Sequence, residues 1–140
     1  MATVRSPVPR RILLVEDDAD INSTLREMLE DEGYEVSATA NGRAALEALE
    51  HLPAPCLVLL DVEMPRMDGQ DFLTHLRQDS RHGDDPVVVV TASRRNLADV
   101  AEVLRKPFDF DVLLNAVERY CGQAAPRWRS GLGGGELHAS

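Results

Sequence analysis

Four short apolar runs in this sequence each stop on residues able to do chemistry. Ile12-Leu13-Leu14-Val15 stops on Glu16 and Asp17, with Asp18 just beyond, and Leu57-Val58-Leu59-Leu60 stops on Asp61. Val87 to Val90 stops on Thr91, and Val103-Leu104-Arg105 stops on Lys106. Three carboxylates brought within ~4 Å repel by roughly a few kcal/mol per pair at an effective dielectric near ~20, so such a cluster calls for a cation. Oxygen-only ligands select a hard divalent ion, Mg²⁺ or similar, that keeps some of its waters. Beside such an ion Asp61 is suited to be an in-line nucleophile toward a phosphoryl group. Lys106 offers a point charge and Thr91 a hydroxyl donor to the phosphoryl oxygens. These parts suit phosphate transfer onto Asp61 and its later hydrolysis. Each residue also has a plain structural role open to it. Acids are favoured at a helix N-terminus, and a cap for Asp61, a strand end for Thr91 and a surface position for Lys106 are the corresponding plain roles. It is the joint placement, after four separate runs, that selects the chemical reading.

The elements that must position these groups follow from the apolar spacing. Arg11 to Glu16 reads as a first strand. Ile21, Leu25, Met28 and Leu29 recur at helical spacing, with Gly33 placed to stop the helix. Tyr34 to Ala38 is a weaker strand. Asn41-Gly42 opens a helix carrying Ala45, Leu46 and Leu49 on one face, and Pro53 and Pro55 lead into the strand ending at Asp61. That strand, apolar throughout and bounded by prolines, has the pattern of one buried on both faces of a parallel sheet. Gly69 to Gln78 is expected to be a helix with Phe72, Leu73 and Leu76 inward, followed by a polar loop from Asp79 to Asp85. Pro86 to Thr91, almost wholly β-branched, is the strongest strand signal in the chain. A very short strand at Val103-Leu104-Arg105 precedes a last helix. Asp109 is placed to cap that helix, with Val112, Leu113, Ala116, Val117 and Tyr120 as its apolar face. Strands and helices alternate about five times, which predicts a parallel sheet with helices on both faces and right-handed connections. In such sheets chemistry sits where the strands' carboxyl ends open into loops.

The totals agree with a single domain. The chain has 140 residues, 44% apolar and 28% charged, enough for one core. A formal charge of −9 and a pI near 4.8 argue against non-specific binding to nucleic acid or to an anionic membrane. No apolar run approaches the ~20 residues that span a bilayer, and Met1 to Arg11 lacks an apolar signal region. A cytoplasmic protein is expected. Neither Cys56 nor Cys121 has the spacing of a metal clip, and two reduced, partly buried thiols are expected. Residues 1–10 read as a flexible lead-in, 11–122 as the folded domain and 123–140 as a disordered Gly-rich tail.

In these motifs the chain resembles the receiver domain of bacterial two-component response regulators. The matching text is Ile12-Leu13-Leu14-Val15-Glu16-Asp17-Asp18, then Leu60-Asp61-Val62-Glu63-Met64-Pro65-Arg66-Met67-Asp68-Gly69, then Val88-Val89-Val90-Thr91-Ala92, then Lys106-Pro107-Phe108. The resemblance runs from about residue 10 to 121. It implies a (βα)₅ doubly wound, flavodoxin-like five-stranded parallel sheet. It implies phosphorylation of Asp61 by a sensor histidine kinase or a histidine phosphotransfer protein, with Mg²⁺ as cofactor. By the same resemblance Glu16 and Asp17 are the acidic pair, with Asp17 the direct ligand. Asp61 and the backbone carbonyl of Glu63 complete the protein ligands, Thr91 follows the phosphoryl group in switching, Lys106 binds it, and the Lys106–Pro107 bond is cis.

Two features depart from the family pattern. The segment from Thr91 to Lys106 is short by on the order of seven residues, about two helical turns, so the fourth helix, near Asn96 to Ala101, is expected to be shortened. The position three before the lysine, usually aromatic, is Val103. A valine has no ring to swing between buried and exposed states. The reading that follows is a stand-alone phospho-accepting receiver, not an enzyme in its own right. Its output is expected through protein–protein contact with an unknown downstream protein, because too few residues follow 121 for a further module. A pseudo-receiver that binds a partner independently of phosphorylation is the alternative. A hydrolase working through an aspartyl-phosphate, with Glu63 as second acid, is a third class.

Overall fold

The structure is a computed structural model that describes residues 9–61, 69–92 and 100–121. Five strands, β1 (Arg11–Val15), β2 (Glu35–Thr39), β3 (Cys56–Asp61), β4 (Val87–Thr91) and β5 (Glu102–Arg105), form one sheet in the order β2-β1-β3-β4-β5. Every neighbouring pair is parallel. Among the described residues the helices are α1 (Ala19–Asp31), α2 (Gly42–Leu49), α3 (Gly69–Arg77) and α4 (Phe110–Cys121). This is the five-stranded doubly wound sheet expected from the alternating pattern, of flavodoxin-like order.

The central strands are buried on both faces, which is why their sequences are apolar without alternation. Successive side chains still divide between two cores. Leu13, Val15, Val58, Leu60, Val87 and Val89 meet Phe72, Leu73 and Leu76 of α3 and Ala45 and Leu49 of α2. Ile12, Leu14, Leu57, Leu59 and Val88 meet Leu29 of α1 and Leu113, Ala116 and Val117 of α4. Each fully buried aliphatic side chain contributes roughly 1.5–3 kcal/mol of transfer free energy.

Local signals set the helix ends. Asp18 caps α1, its side chain accepting from the backbone N–H of Asp20 and Ile21. Asn41 caps α2 by accepting from Ala44 N at 2.8 Å. Gly33, at φ 99°, ends α1 in a left-handed turn. Gly33 N donates to Glu30 O, and Tyr34 N to Leu29 O, the paired bonds of a Schellman motif. Tyr34 then turns inward and is buried.

Some expectations shift. Glu16 lies just past β1, which ends at Val15, and β2 runs from Glu35 to Thr39 rather than from Tyr34 to Ala38. Ile21 and Val112, counted in apolar stripes, are 39% and 44% exposed. Both sit at the flank of their stripe, where spacing alone cannot separate edge from centre. The shortened fourth helix near Asn96 to Ala101 falls mostly on 93–99, outside the described residues. Val100 and Ala101 lead directly into β5, with Ala101 N donating to Val87 O at 2.8 Å.

Candidate functional site

Parallel register brings the chemistry-bearing residues together. Val15 of β1 is opposite Leu60 of β3, so Glu16 and Asp61 leave neighbouring strands side by side at the sheet's carboxyl edge. The reversal of strand order lies between β1 and β3, where open α/β sheets bind ligands. Carboxylate oxygens of Glu16, Asp17 and Asp61 all lie within 4.8 Å of one another. Glu16 and Asp61 are buried, while Asp17 faces solvent. The acidic triplet is therefore divided: two members join Asp61, and Asp18 serves as a helix cap.

Lys106 reaches the same carboxylate. Its Nζ stands 3.6 Å from Asp61 Oδ2. Thr91 ends β4, fully buried, opposite Arg105, and Lys106 N donates to Thr91 O at 2.8 Å. The Lys106–Pro107 peptide is cis. Glu63 lies outside the described residues. Val103 is half-buried and packs against the core on the α2–α3 side.

The electrostatics of the cluster are those of a site short of positive charge. Burial pushes the Glu16 carboxyl up to about 7, and the Asp61 charge adds to the rise. The Asp18 backbone N–H, donating to Glu16 Oε2 at 3.0 Å, opposes it only in part. A small cavity of about 10 Å³, lined mostly by apolar side chains including Leu14, Leu25, Leu59 and Leu113, borders Glu16 and Asp61. The donor set, oxygen-only and anionic, fits a hard divalent cation.

Asn22 also belongs to this site, and the sequence carried no signal for it. From the first turn of α1 its Nδ2 donates to Glu16 O and to Thr39 O, each at 2.9 Å. It thereby ties α1 to the ends of β1 and β2. Thr39 adds a second tie, its hydroxyl donating to Leu14 O at 2.8 Å.

Comparison with known proteins agrees with this geometry. The family model of the response regulator receiver domain matches residues 12–118. The chain belongs to that family, as a receiver domain of the two-component type. It is 42% identical over 119 residues to the transcriptional regulatory protein PdtaR of Mycobacterium tuberculosis, covering 79% of this chain and 56% of that protein. The chain thus spans about half the length of that relative. The chemotaxis protein CheY4 of Vibrio cholerae superposes with a TM-score of 0.74 at 28% identity, covering 80% of this chain and 98% of that one. The receiver domain of the Pseudomonas aeruginosa sensor histidine kinase PA1611 does so with a TM-score of 0.73 at 28% identity, covering 82% and 99%. That domain was solved with a magnesium ion coordinated in its active-site cleft. No described helix is long and apolar enough to cross a membrane.

Proposed function

We propose that this receiver accepts a phosphoryl group on Asp61 from the phosphohistidine of a sensor kinase or a phosphotransfer protein. The observation that carries the reading is the approach of the Lys106 ammonium to Asp61 beside two further carboxylates. Glu16, Asp17 and Asp61 would hold Mg²⁺, with the Glu63 carbonyl as a further ligand. Bound there, the ion would neutralise charge on the phosphoryl oxygens and the carboxylates around them.

The chain's own residues do the rest. An Asp61 carboxylate oxygen attacks phosphorus, an O–P bond forms, and the donor's P–N bond breaks. The donor imidazole leaves with that electron pair and takes up a proton. Lys106 would hold one phosphoryl oxygen as a fixed cation, and the Thr91 hydroxyl would donate to another. Hydrolysis reverses the modification: water adds to phosphorus, the O–P bond to Asp61 breaks, and phosphate departs. Output is proposed to run through protein contact on the β5–α4 edge, where Arg105 and Val112 are exposed.

A pseudo-receiver is favoured by the absence of an aromatic ring at Val103 and by the short segment between Thr91 and Lys106. Incubation with Mg²⁺ and acetyl phosphate, read by intact mass, separates the readings. One acid-labile phosphoryl group on the wild type and none on Asp61→Asn is the expected result. Wild type that takes up none is a constitutive binding module instead.

A further inference from the structure

A second cluster lies at the opposite edge of the sheet. Cys56 opens β3, and His82 and Asp85 lie in the turn between α3 and β4. All three are buried, His82 and Cys56 completely. The Cys56 Sγ, one His82 ring nitrogen and a carboxylate oxygen of Asp85 lie within 4.8 Å of one another. Sequence spacing hides this set because 29 residues separate Cys56 from Asp85.

The hydrogen bonds around His82 fix which nitrogen is available. Nε2 is 2.9 Å from Leu52 O. A carbonyl can only accept, so Nε2 carries a hydrogen and donates. That leaves Nδ1 facing Asp85 Oδ2 at 2.6 Å. A histidine whose outer N–H is spent on a backbone carbonyl is the arrangement that orients an imidazole toward a metal. Asp85 is steadied in turn. Its Oδ2 accepts from Cys56 N at 3.1 Å, and its main-chain carbonyl accepts from the Arg77 guanidinium at 2.8 Å. The turn holding His82 is pinned by Asp79, whose Oδ1 accepts from Arg81 N and His82 N, both at 2.8 Å.

We propose that Cys56, His82 and Asp85 form a binding site for a thiophilic divalent cation of the zinc class, separate from the Asp61 centre. Thiolate, imidazole and carboxylate are together the ligand set that zinc takes and that Mg²⁺ does not. The charges balance. The ion displaces two protons, one from the Cys56 thiol and one shared between His82 Nδ1 and Asp85 Oδ2, and the buried cluster is left neutral. Three protein ligands leave one tetrahedral position open. Asp85 also lines a surface cleft of about 350 Å³ with Arg81, Asp84, Pro55 and Pro86. The site staples the start of β3 to the turn before β4. It would stabilise the sheet at the edge away from phosphorylation.

Cobalt titration of the full chain in saturating Mg²⁺ tests the proposal, since an oxygen-only site gives no thiolate charge-transfer band. One equivalent of Co²⁺ should produce that band together with tetrahedral d–d bands, and Zn²⁺ should erase both. Cys56→Ser should remove the band and Cys121→Ser should keep it. His82→Gln should weaken binding by at least about tenfold. Absence of the band from the wild type overturns the site, as does its survival in Cys56→Ser. Where Cys56→Ser fails to fold, Cys121→Ser gives the decision. Cys56 is then the one thiol left in the chain, so its band must come from Cys56, and loss of the band in Cys121→Ser sinks the proposal.

Discussion

Glu16 and Asp61 leave adjacent parallel strands one step beyond the register pair Val15 and Leu60, and both are buried. Two carboxylates so placed cannot both stay charged cheaply without a cation. Burial and the Asp61 charge both favour a proton on Glu16, against the pull of Lys106.

That proton gives a pH dependence with a definite sign. The folded Glu16 titrates at about 7 against an ordinary 4.5, chiefly through burial. Between those values the folded state binds more protons than the unfolded one. Stability from this group is therefore complete below about pH 4.5 and is lost as pH rises through about 7. A divalent ion should reverse the loss by supplying the missing positive charge. Mg²⁺ should raise the thermal midpoint more at about pH 8 than at about pH 5.5, and Glu16→Gln should flatten the difference. A Mg²⁺ effect equal at both pH values in the wild type speaks against Glu16 as part of the ion site.

Lys106 spans from the end of β5 across β4 to Asp61, and its role is separable from that of the acids. On the proposed function, Lys106→Ala should remove a charge-assisted contact of roughly 1.5–3 kcal/mol to the phosphoryl group. Uptake from acetyl phosphate, followed by intact mass over time, should slow about ten- to hundredfold. Mg²⁺ affinity should hold or rise, because a competing cation has gone from beside the carboxylates. A variant that phosphorylates at the wild-type rate removes Lys106 from the chemistry.

How far the sequence reaches is visible at these same residues. That Glu16, Asp17, Asp61, Thr91 and Lys106 share one edge of the sheet was legible, because each stands at the end of a run too short to be a helix, and parallel strands must present such ends at one edge. The sheet and its two cores were legible for the same reason. What the sequence hid lies in contacts made across long separations by residues of ordinary type. Asn22 reads as one more polar residue on a helix, and only the fold shows that two carbonyls from different strands converge on it. The stretch from Asp79 to Asp85 reads as a polar loop, yet it turns His82 and Asp85 inward against Cys56. Periodicity also overstated the apolar faces of α1 and α4, since Ile21 and Val112 lie at their margins.

Asn22 should matter to both stability and the site. Asn22→Ala leaves Glu16 O and Thr39 O without their side-chain donor and should cost about 1–2 kcal/mol in urea denaturation. Because Glu16 is the residue so tethered, Mg²⁺ affinity should fall with it, whereas a surface change such as Glu27→Ala should leave both unchanged. Loss of stability with full Mg²⁺ affinity would assign Asn22 to the scaffold alone.

Gly83 tests the far edge of the sheet independently of any ion. A Cβ added there would meet Asp79 O at 2.7 Å and Arg77 O at 3.1 Å. Both are backbone atoms, so the turn itself must move. Arg77 also donates to Gly83 O at 3.0 Å and to Asp85 O at 2.8 Å, so the shift passes directly to the segment that seats His82 and Asp85. Gly83→Ala should lower stability by roughly 1–3 kcal/mol, the usual cost of forcing atoms into packed space. Asp61 lies at the opposite end of β3, so phosphoryl uptake by the folded fraction should match the wild type. A Gly83→Ala protein of unchanged stability means the turn yields freely and does not hold His82 in a fixed pose. A variant that also fails to take up phosphoryl couples the two edges of the sheet.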